Sequence, residues 1–502
     1  PYVAARHETG AAMMADAYAR TSGEVAVLTL HQGCGLTNAL TGIAEAAKSR
    51  TPLLVLAADT AGSAVRSNFR IDQDAAVRAV GAVPERVHTA VSAVADVVRA
   101  YGTCVRQRRT VVLNLPLDVQ AAECVAPESV PAVAAWGAPR PDPVAVTALA
   151  ALLDGAQRPV FVAGRGARHA GPELVALAER CGALLATSAV ANGLFAGEEW
   201  ALGISGGFAT PLAVELVTAA DVVVAWGASL TMWTTRHGEL IGRGATVVQV
   251  DDDPAAIGAQ RPVDLGVLGD VAAVARDVAA VVKGGPGGRS DELARRIATE
   301  GRWNLLPLPD DPDDGFIDPR VLSAALDELL PAERTLGVDS GNFMGYPSAF
   351  LAVPDVAGFC FTQAFQSIGL GLATTIGAAL ARPDRVPVAA LGDGGFLMGI
   401  SELETAVRLG LGMLVVVYDD GGYGAEFHHF TDADHSTVRF PDVDLAAIAA
   451  GYGCAAATVR TRADLDVVRA WLAGPRDRPL LLDAKVRADA PSWWLAEAFK
   501  GH

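Results

Sequence analysis

Residues 386 to 424 read VPVAALGDGGFLMGISELETAVRLGLGMLVVVYDDGGYG, and the order of their parts decides the fold. Val386 to Leu391 is an apolar run of strand length that ends at Gly392-Asp393-Gly394. Ser401 to Leu409 then carries Leu403, Ala406 and Val407 at helical spacing and is stopped by Gly410. A second buried strand, Met413 to Tyr418, runs into Asp419-Asp420. Strand, helix and strand in this order form one β-α-β unit, so its two strands are parallel. In open parallel sheets ligands gather beyond the carboxyl ends of strands, where Asp393 and Asp420 both fall.

Two carboxylates at neighbouring strand ends can share one hard cation, and magnesium takes oxygen ligands together with phosphate oxygens. Gly394, Gly395, Gly421 and Gly422 leave backbone groups uncovered, so a diphosphate and its metal can approach the chain directly. A GDG turn alone is an ordinary strand-to-helix connection. The second acidic turn, at the next strand end, tips the reading to a metal-bound diphosphate.

Outward from this unit, the chain divides at two breaks. Residues 121 to 142 (AAECVAPESVPAVAAWGAPRPD) are rich in Pro and Ala, and residues 283 to 290 (KGGPGGRS) form a glycine-rich linker. An acidic, proline-containing stretch, 306 to 315, precedes a helix capped near Asp318-Pro319. Each part alternates strands and helices, which predicts an α/β protein of three doubly wound parallel-sheet domains at 1–130, 140–284 and 310–490. The formal net charge of −17 makes nucleic acid an unsuitable partner. Six scattered cysteines form no CxxC pair, which fits a reduced, cytoplasmic protein without structural zinc. No apolar run reaches membrane-spanning length.

In the first domain Tyr2 to Ala5 reads as a short strand, and Arg6-His7-Glu8 leads into a helix from about Thr9 to Thr21, closed by Gly23. Val25 to Leu30 is the next strand, with His31 just beyond it before Gln32-Gly33-Cys34-Gly35 and another helix. Glu8 and His31 therefore occupy successive strand-to-helix turns and are expected to face one crevice. Taken alone, each is an ordinary residue of such a turn.

Three stretches together resemble one family, the enzymes that use thiamine diphosphate. Its signature is GDG, about two dozen residues, then usually two asparagines; here Asp393 and the pair Asp419-Asp420 take those places. RHETGAAMMADAYAR and LHQGCGLTNALTGIAEA resemble the first-domain segments of thiamine-dependent 2-oxo acid decarboxylases and acetolactate synthases, and FTQAFQSIGLGLATTIGAALARPDR resembles the segment upstream of GDG. The resemblance implies Mg2+ held by Asp393, Asp420 and the Gly422 carbonyl. The cofactor lies along Gly392, Gly394, Gly395 and Tyr423. Glu8 meets the aminopyrimidine ring, the Gln366 carbonyl accepts the amino hydrogen, and Ile368 wedges between the two rings. Burial is expected to raise the Glu8 pKa. His31 implies an acid-base group, by its spacing from Glu8 as in benzoylformate decarboxylase. Glu426 and His429, three apart on a helix, are candidates for protonating the enamine. Gln73 is a candidate pocket residue.

The implied reaction is decarboxylation of a small-molecule 2-oxo acid through an enamine, with a benzoylformate decarboxylase-like lyase ahead of an acetolactate synthase-like carboligase. A non-catalytic or dinucleotide-binding α/β protein is the third reading; no G-x-G-x-x-G with a ribose acid supports it. The family also implies a homodimer or homotetramer with sites at the subunit interface. Four departures stand out. Asp420 replaces the usual Asn, so diphosphate binding is expected to depend unusually on the divalent ion. The run that holds FAD in acetolactate synthases is absent, which puts FAD in doubt. His237 is out of register for the family's second histidine. Family members begin about one strand-helix unit before Pro1.

Overall fold

Three parallel sheets follow one another along the chain in the computed structural model, which describes residues 2–124, 129–134, 137–285, 287–310, 312, 314–489 and 491–498. The first contains β1 (Ala26–Leu30), β2 (Leu53–Asp59), β3 (Val83–Arg86) and β4 (Thr110–Pro116), in the order β1-β2-β4-β3. The second contains β5 (Pro159–Ala163), β6 (Leu184–Thr187), β7 (Ala201–Ile204), β8 (Val222–Trp226), β9 (Thr246–Asp251) and β10 (Leu265–Leu268), in the order β10-β9-β8-β5-β6-β7. The third contains β11 (Arg334–Val338), β12 (Phe359–Phe361), β13 (Val386–Gly392), β14 (Leu414–Asp419), β15 (Ala455–Val459) and β16 (Leu480–Lys485), in the order β12-β11-β13-β14-β16-β15. Every strand pair is parallel, and helices cover the faces, so inner strands such as β14 are buried along their whole length.

Register in the third sheet sets the site. Gly392 lies opposite Tyr418, and Asp419 lies opposite Lys485. The chain therefore leaves β13 and β14 at one level, and the two acidic turns emerge side by side.

Packing between domains is dictated by small residues. The helix Gly371–Ala381 is almost entirely apolar and buried, and it meets α1 (Glu8–Ser22) so closely that a methyl on Gly377 would lie 2.7 Å from the Met14 Cα. Glu402, buried at the start of the helix Glu402–Arg408, accepts the His7 backbone N–H at 2.8 Å and the Arg6 N–H at 3.1 Å. These contacts dock the first domain on the third. The expected strand at Tyr2–Ala5 does not form: the segment is irregular, and the exposed Val27 leaves β1 half-open as a sheet edge. A strand needs a paired neighbour, and local propensity alone supplies none. Among the described residues no helix is long and apolar enough to cross a membrane.

Candidate active site

Asp393 opens the helix Asp393–Gly399 directly off β13 and is buried, while Asp420 follows the tip of β14 and is partly buried. Burial pushes the Asp393 carboxyl well above the usual range, and repulsion from Asp420 and Asp419 adds to it. Burial likewise raises Asp420, opposed by the Asn342 amide, which donates to Oδ2 at 3.4 Å. Among the described residues no Lys, Arg or His forms an ion pair with either carboxylate, and Arg439 offsets the Asp420 charge only weakly. Two crowded anions of this kind call for a cation, and an oxygen-only donor set suits Mg2+. No three His, Cys, Asp or Glu side chains converge among the described residues. The remaining ligands must therefore come from backbone and diphosphate, and the residues present fit such a group.

The surrounding backbone is stripped of side chains by necessity. A methyl on Gly394 would sit 2.5 Å from the Tyr423 ring, one on Gly395 would sit 2.7 Å from Asp339 Oδ2, and one on Gly424 would strike the Asp420 carboxylate. Gly421 adopts φ 75°, and Gly422 bridges to Arg439 in the loop that returns over the turn. Asp419, by contrast, is turned away. Its Oδ2 meets Lys485 Nζ at 2.6 Å and its Oδ1 accepts the Gly421 N–H at 3.1 Å. The neighbouring strand thus neutralises the first acid of the pair, leaving Asp420 as the unneutralised acid beside the Asp393 turn. Sequence reasoning missed Lys485; the one available signal was the pair Asp483 and Lys485 at the end of a strand that opens with three leucines.

Upstream, Gln366 and Ile368 lie in the irregular turn before the helix Gly371–Ala381. Ile368 is half-buried and Gln366 exposed, so neither is a core residue. Gln366 holds φ 63°, a left-handed conformation that costs a residue with a Cβ about 1–2 kcal/mol. Beyond Tyr423, the short helix Gly424–His429 places Glu426 at the surface on the same face as His429, whose ring packs edge-on against Phe430 at 4.5 Å.

Glu8 and His31 come together in the first domain. A methyl on Gly35 would lie 3.0 Å from His31 Cβ and 3.7 Å from Glu8 Oε1. Asn38 Nδ2 donates to Glu8 at 3.1 Å, and the His31 ring meets Phe69 edge-on at 5.0 Å. Gln73 turns out to brace this turn from below. It is buried, its Oε1 accepts the Gly33 N–H at 2.8 Å, and its Nε2 donates to Asn114 Oδ1 at 2.7 Å. Within one chain Glu8 lines a groove of about 690 Å3 with Tyr18, Val27 and Leu30 of its own domain and Leu380 of the third. None of His31, Asp393 and Asp420 lines this groove.

Comparison with known proteins agrees with this geometry. Residues 1–76 match the model for the N-terminal TPP binding domain of thiamine pyrophosphate enzymes, residues 146–278 that for their central domain, and residues 339–484 that for their C-terminal TPP binding domain. A sulfoacetaldehyde acetyltransferase of Rhodobacter capsulatus is 30% identical over 91% of this chain and 83% of its own. An acetolactate synthase of Mycobacterium leprae is 25% identical over 99% and 82%. An X-ray structure from Mycobacterium smegmatis, provisionally described as a thiamin diphosphate-dependent enzyme, superposes with a TM-score of 0.79 over 97% of this chain and 92% of that one. At 23% identity it shows a shared fold.

Proposed function

The chain belongs to the thiamine pyrophosphate enzymes, and on that premise we propose that it is a magnesium-dependent carboligase that decarboxylates a 2-oxo acid and passes the remaining acyl unit to a second carbonyl compound. The observation that carries this reading is the pair of crowded carboxylates, Asp393 and Asp420, at neighbouring strand tips beside bare glycine backbone. The names of the similar enzymes, an acetyltransferase and an acetolactate synthase, favour transfer over simple release. Family membership sets aside the dinucleotide-binding alternative.

Asp393, Asp420 and the Gly422 carbonyl would hold the metal, with Gly392, Gly394, Gly395 and Tyr423 along the diphosphate. Thiamine diphosphate, when bound, supplies a thiazolium carbon that serves as nucleophile and electron sink. Glu8 would exchange a proton at the aminopyrimidine nitrogen, with Asn38 fixing one carboxylate oxygen. The Gln366 carbonyl accepts the amino hydrogen, and Ile368 supplies the apolar wedge. His31, Glu426 and His429 would give or take a proton at the substrate oxygen and carbon. Because Asp393 does not line the groove at Glu8 within one chain, a second copy of the chain would bring them together, making a homodimer or homotetramer the working form.

A second reading has its own support. The spacing of Glu8 and His31 matches the lyase pattern, and a proton delivered from His31 would release an aldehyde instead of a ligated product. Both are tested by one assay of the full chain with thiamine diphosphate and Mg2+. A panel of 2-oxo acids is supplied with and without an aldehyde or ketone acceptor, and carbon dioxide, aldehyde and ligated product are scored separately. Ligated product with an acceptor supports the carboligase, and aldehyde alone supports the lyase. Failure to bind the cofactor at all overturns both.

A further inference from the structure

Cofactor bending requires the Gln366 carbonyl and the Ile368 side chain in one geometry, yet Gln366 sits at φ 63°, which its own Cβ disfavours. Both flanks of this residue are gripped. On the N-terminal side Glu45 accepts the Phe365 N–H at 2.7 Å through Oε2 and the Ala364 N–H at 3.2 Å through Oε1. On the C-terminal side Asp339 accepts the Gly369 N–H at 2.8 Å through Oδ2 and the Leu370 N–H at 3.2 Å through Oδ1. Both carboxylates are fully buried. They come from different domains: Glu45 from α2 (Cys34–Lys48) in the first, and Asp339 from the residue after β11 in the third.

The first-domain grip is itself fastened. Arg20 lies 3.7 Å from Glu45 and 3.0 Å from Asp16, and donates to the Phe361 carbonyl at 2.9 Å. Lys48, one turn further along α2, stands 5.7 Å over the Phe365 ring. A buried carboxylate that accepts two backbone N–H groups holds them strongly, since neither partner has water to fall back on.

We propose that Glu45 and Asp339 form a two-sided clamp that imposes the left-handed bend at Gln366 and so sets the carbonyl and wedge that the cofactor meets. The clamp rests on the thiamine diphosphate reading above. It makes Glu45 a positioning residue that touches neither cofactor nor substrate. It also explains how a side-chain-bearing residue occupies a position that a glycine would fill without strain.

The test uses Glu45→Gln, which keeps the side-chain volume but leaves one acceptor oxygen where the carboxylate had two. In the cofactor-free full chain, hydrogen exchange at residues 364 and 365 should speed by about tenfold or more. Binding of thiamine diphosphate with Mg2+, followed by tryptophan fluorescence, should stay within about threefold of the parent, because the metal turn is untouched. The rate of C2 proton exchange in the bound cofactor and kcat should each fall by about tenfold. Adding Gln366→Gly, which takes the positive φ freely, should restore most of kcat in the Glu45→Gln background.

Rescue of this kind would not follow from a merely structural role. Unchanged amide exchange and kcat in Glu45→Gln, or an equal loss of kcat in the single and double variants, overturns the clamp. A parent chain that protects these amides but binds no thiamine diphosphate overturns instead the reading beneath it, and the positioning role falls with that reading.

Discussion

Replacing Lys485 with methionine isolates the device that keeps Asp419 away from the proposed metal site. The ammonium lies 2.6 Å from Asp419, 2.7 Å from Asp442 and 3.2 Å from Asp483. Lys485, Asp419 and Asp483 have side chains at most 9% exposed, whereas Asp442 is 76% exposed and can return to water. Only Asp419 and Asp483 are therefore stranded, and removing one partner of a buried pair costs about 3–5 kcal/mol. For a domain of this size each kcal/mol lowers the melting temperature by about 2–4 °C, so calorimetry should show the third domain melting roughly 6–20 °C earlier. Diphosphate binding should also demand more Mg2+, because Asp419 becomes an uncompensated charge beside Asp420. Asp419→Asn in the same background removes one of the two stranded charges and should recover part of the stability and most of the added Mg2+ demand, as a double-mutant cycle would register. A melting temperature within about 2 °C of the parent, or a double variant no more stable than the single one, refutes the reasoning.

Other variants probe the remaining links. Asp420→Asn should strengthen diphosphate binding without added metal and shrink its stimulation by Mg2+, measured by calorimetric titration; an unchanged metal requirement counts against the charge argument. Gly424→Ala should weaken Mg2+ binding by tenfold or more, about 1.4 kcal/mol, since the new methyl displaces the Asp420 carboxylate. Asp96 sets an acid limb in the first domain. Burial would raise its carboxyl, but the His88 backbone N–H, Arg99 and Ser92 outweigh it and hold the pKa well below the usual range. A depressed folded-state pKa gives stability that is fully present above about pH 4 and lost as pH falls toward the folded value. Asp96→Asn should therefore cost about 2 kcal/mol at pH 7 and progressively less in acid, read from urea melts across pH. Finally, active fractions from gel filtration should contain at least two chains, and turnover by a monomer would contradict the joining of Glu8 and Asp393 across two chains.

The two acidic turns were legible because their information is local. Apolar runs of strand length, glycines at their ends and an acid just beyond each tip place Asp393 and Asp420 without knowledge of any distant contact. Glu8 and His31 were legible for the same reason, as successive turn residues flanking Gly35. The strand expected at Tyr2–Ala5 failed where a neighbour was needed, and Gln73, a candidate pocket residue, both lines a cavity and braces the His31 turn through its amide.

By itself, then, the order of residues determined three α/β domains, the parallel strands and the two acidic turns at neighbouring strand tips. Only the tertiary structure decided which acids are neutralised and which stand exposed to a cation. Asp419 and Lys485 are 66 residues apart in the chain, and Glu45 and Phe365 are 320 apart. Turns and strands follow from short-range sterics and hydrophobic period. The charge state and geometry of buried carboxylates depend on desolvation and on partners brought close by folding, and a linear pattern records neither.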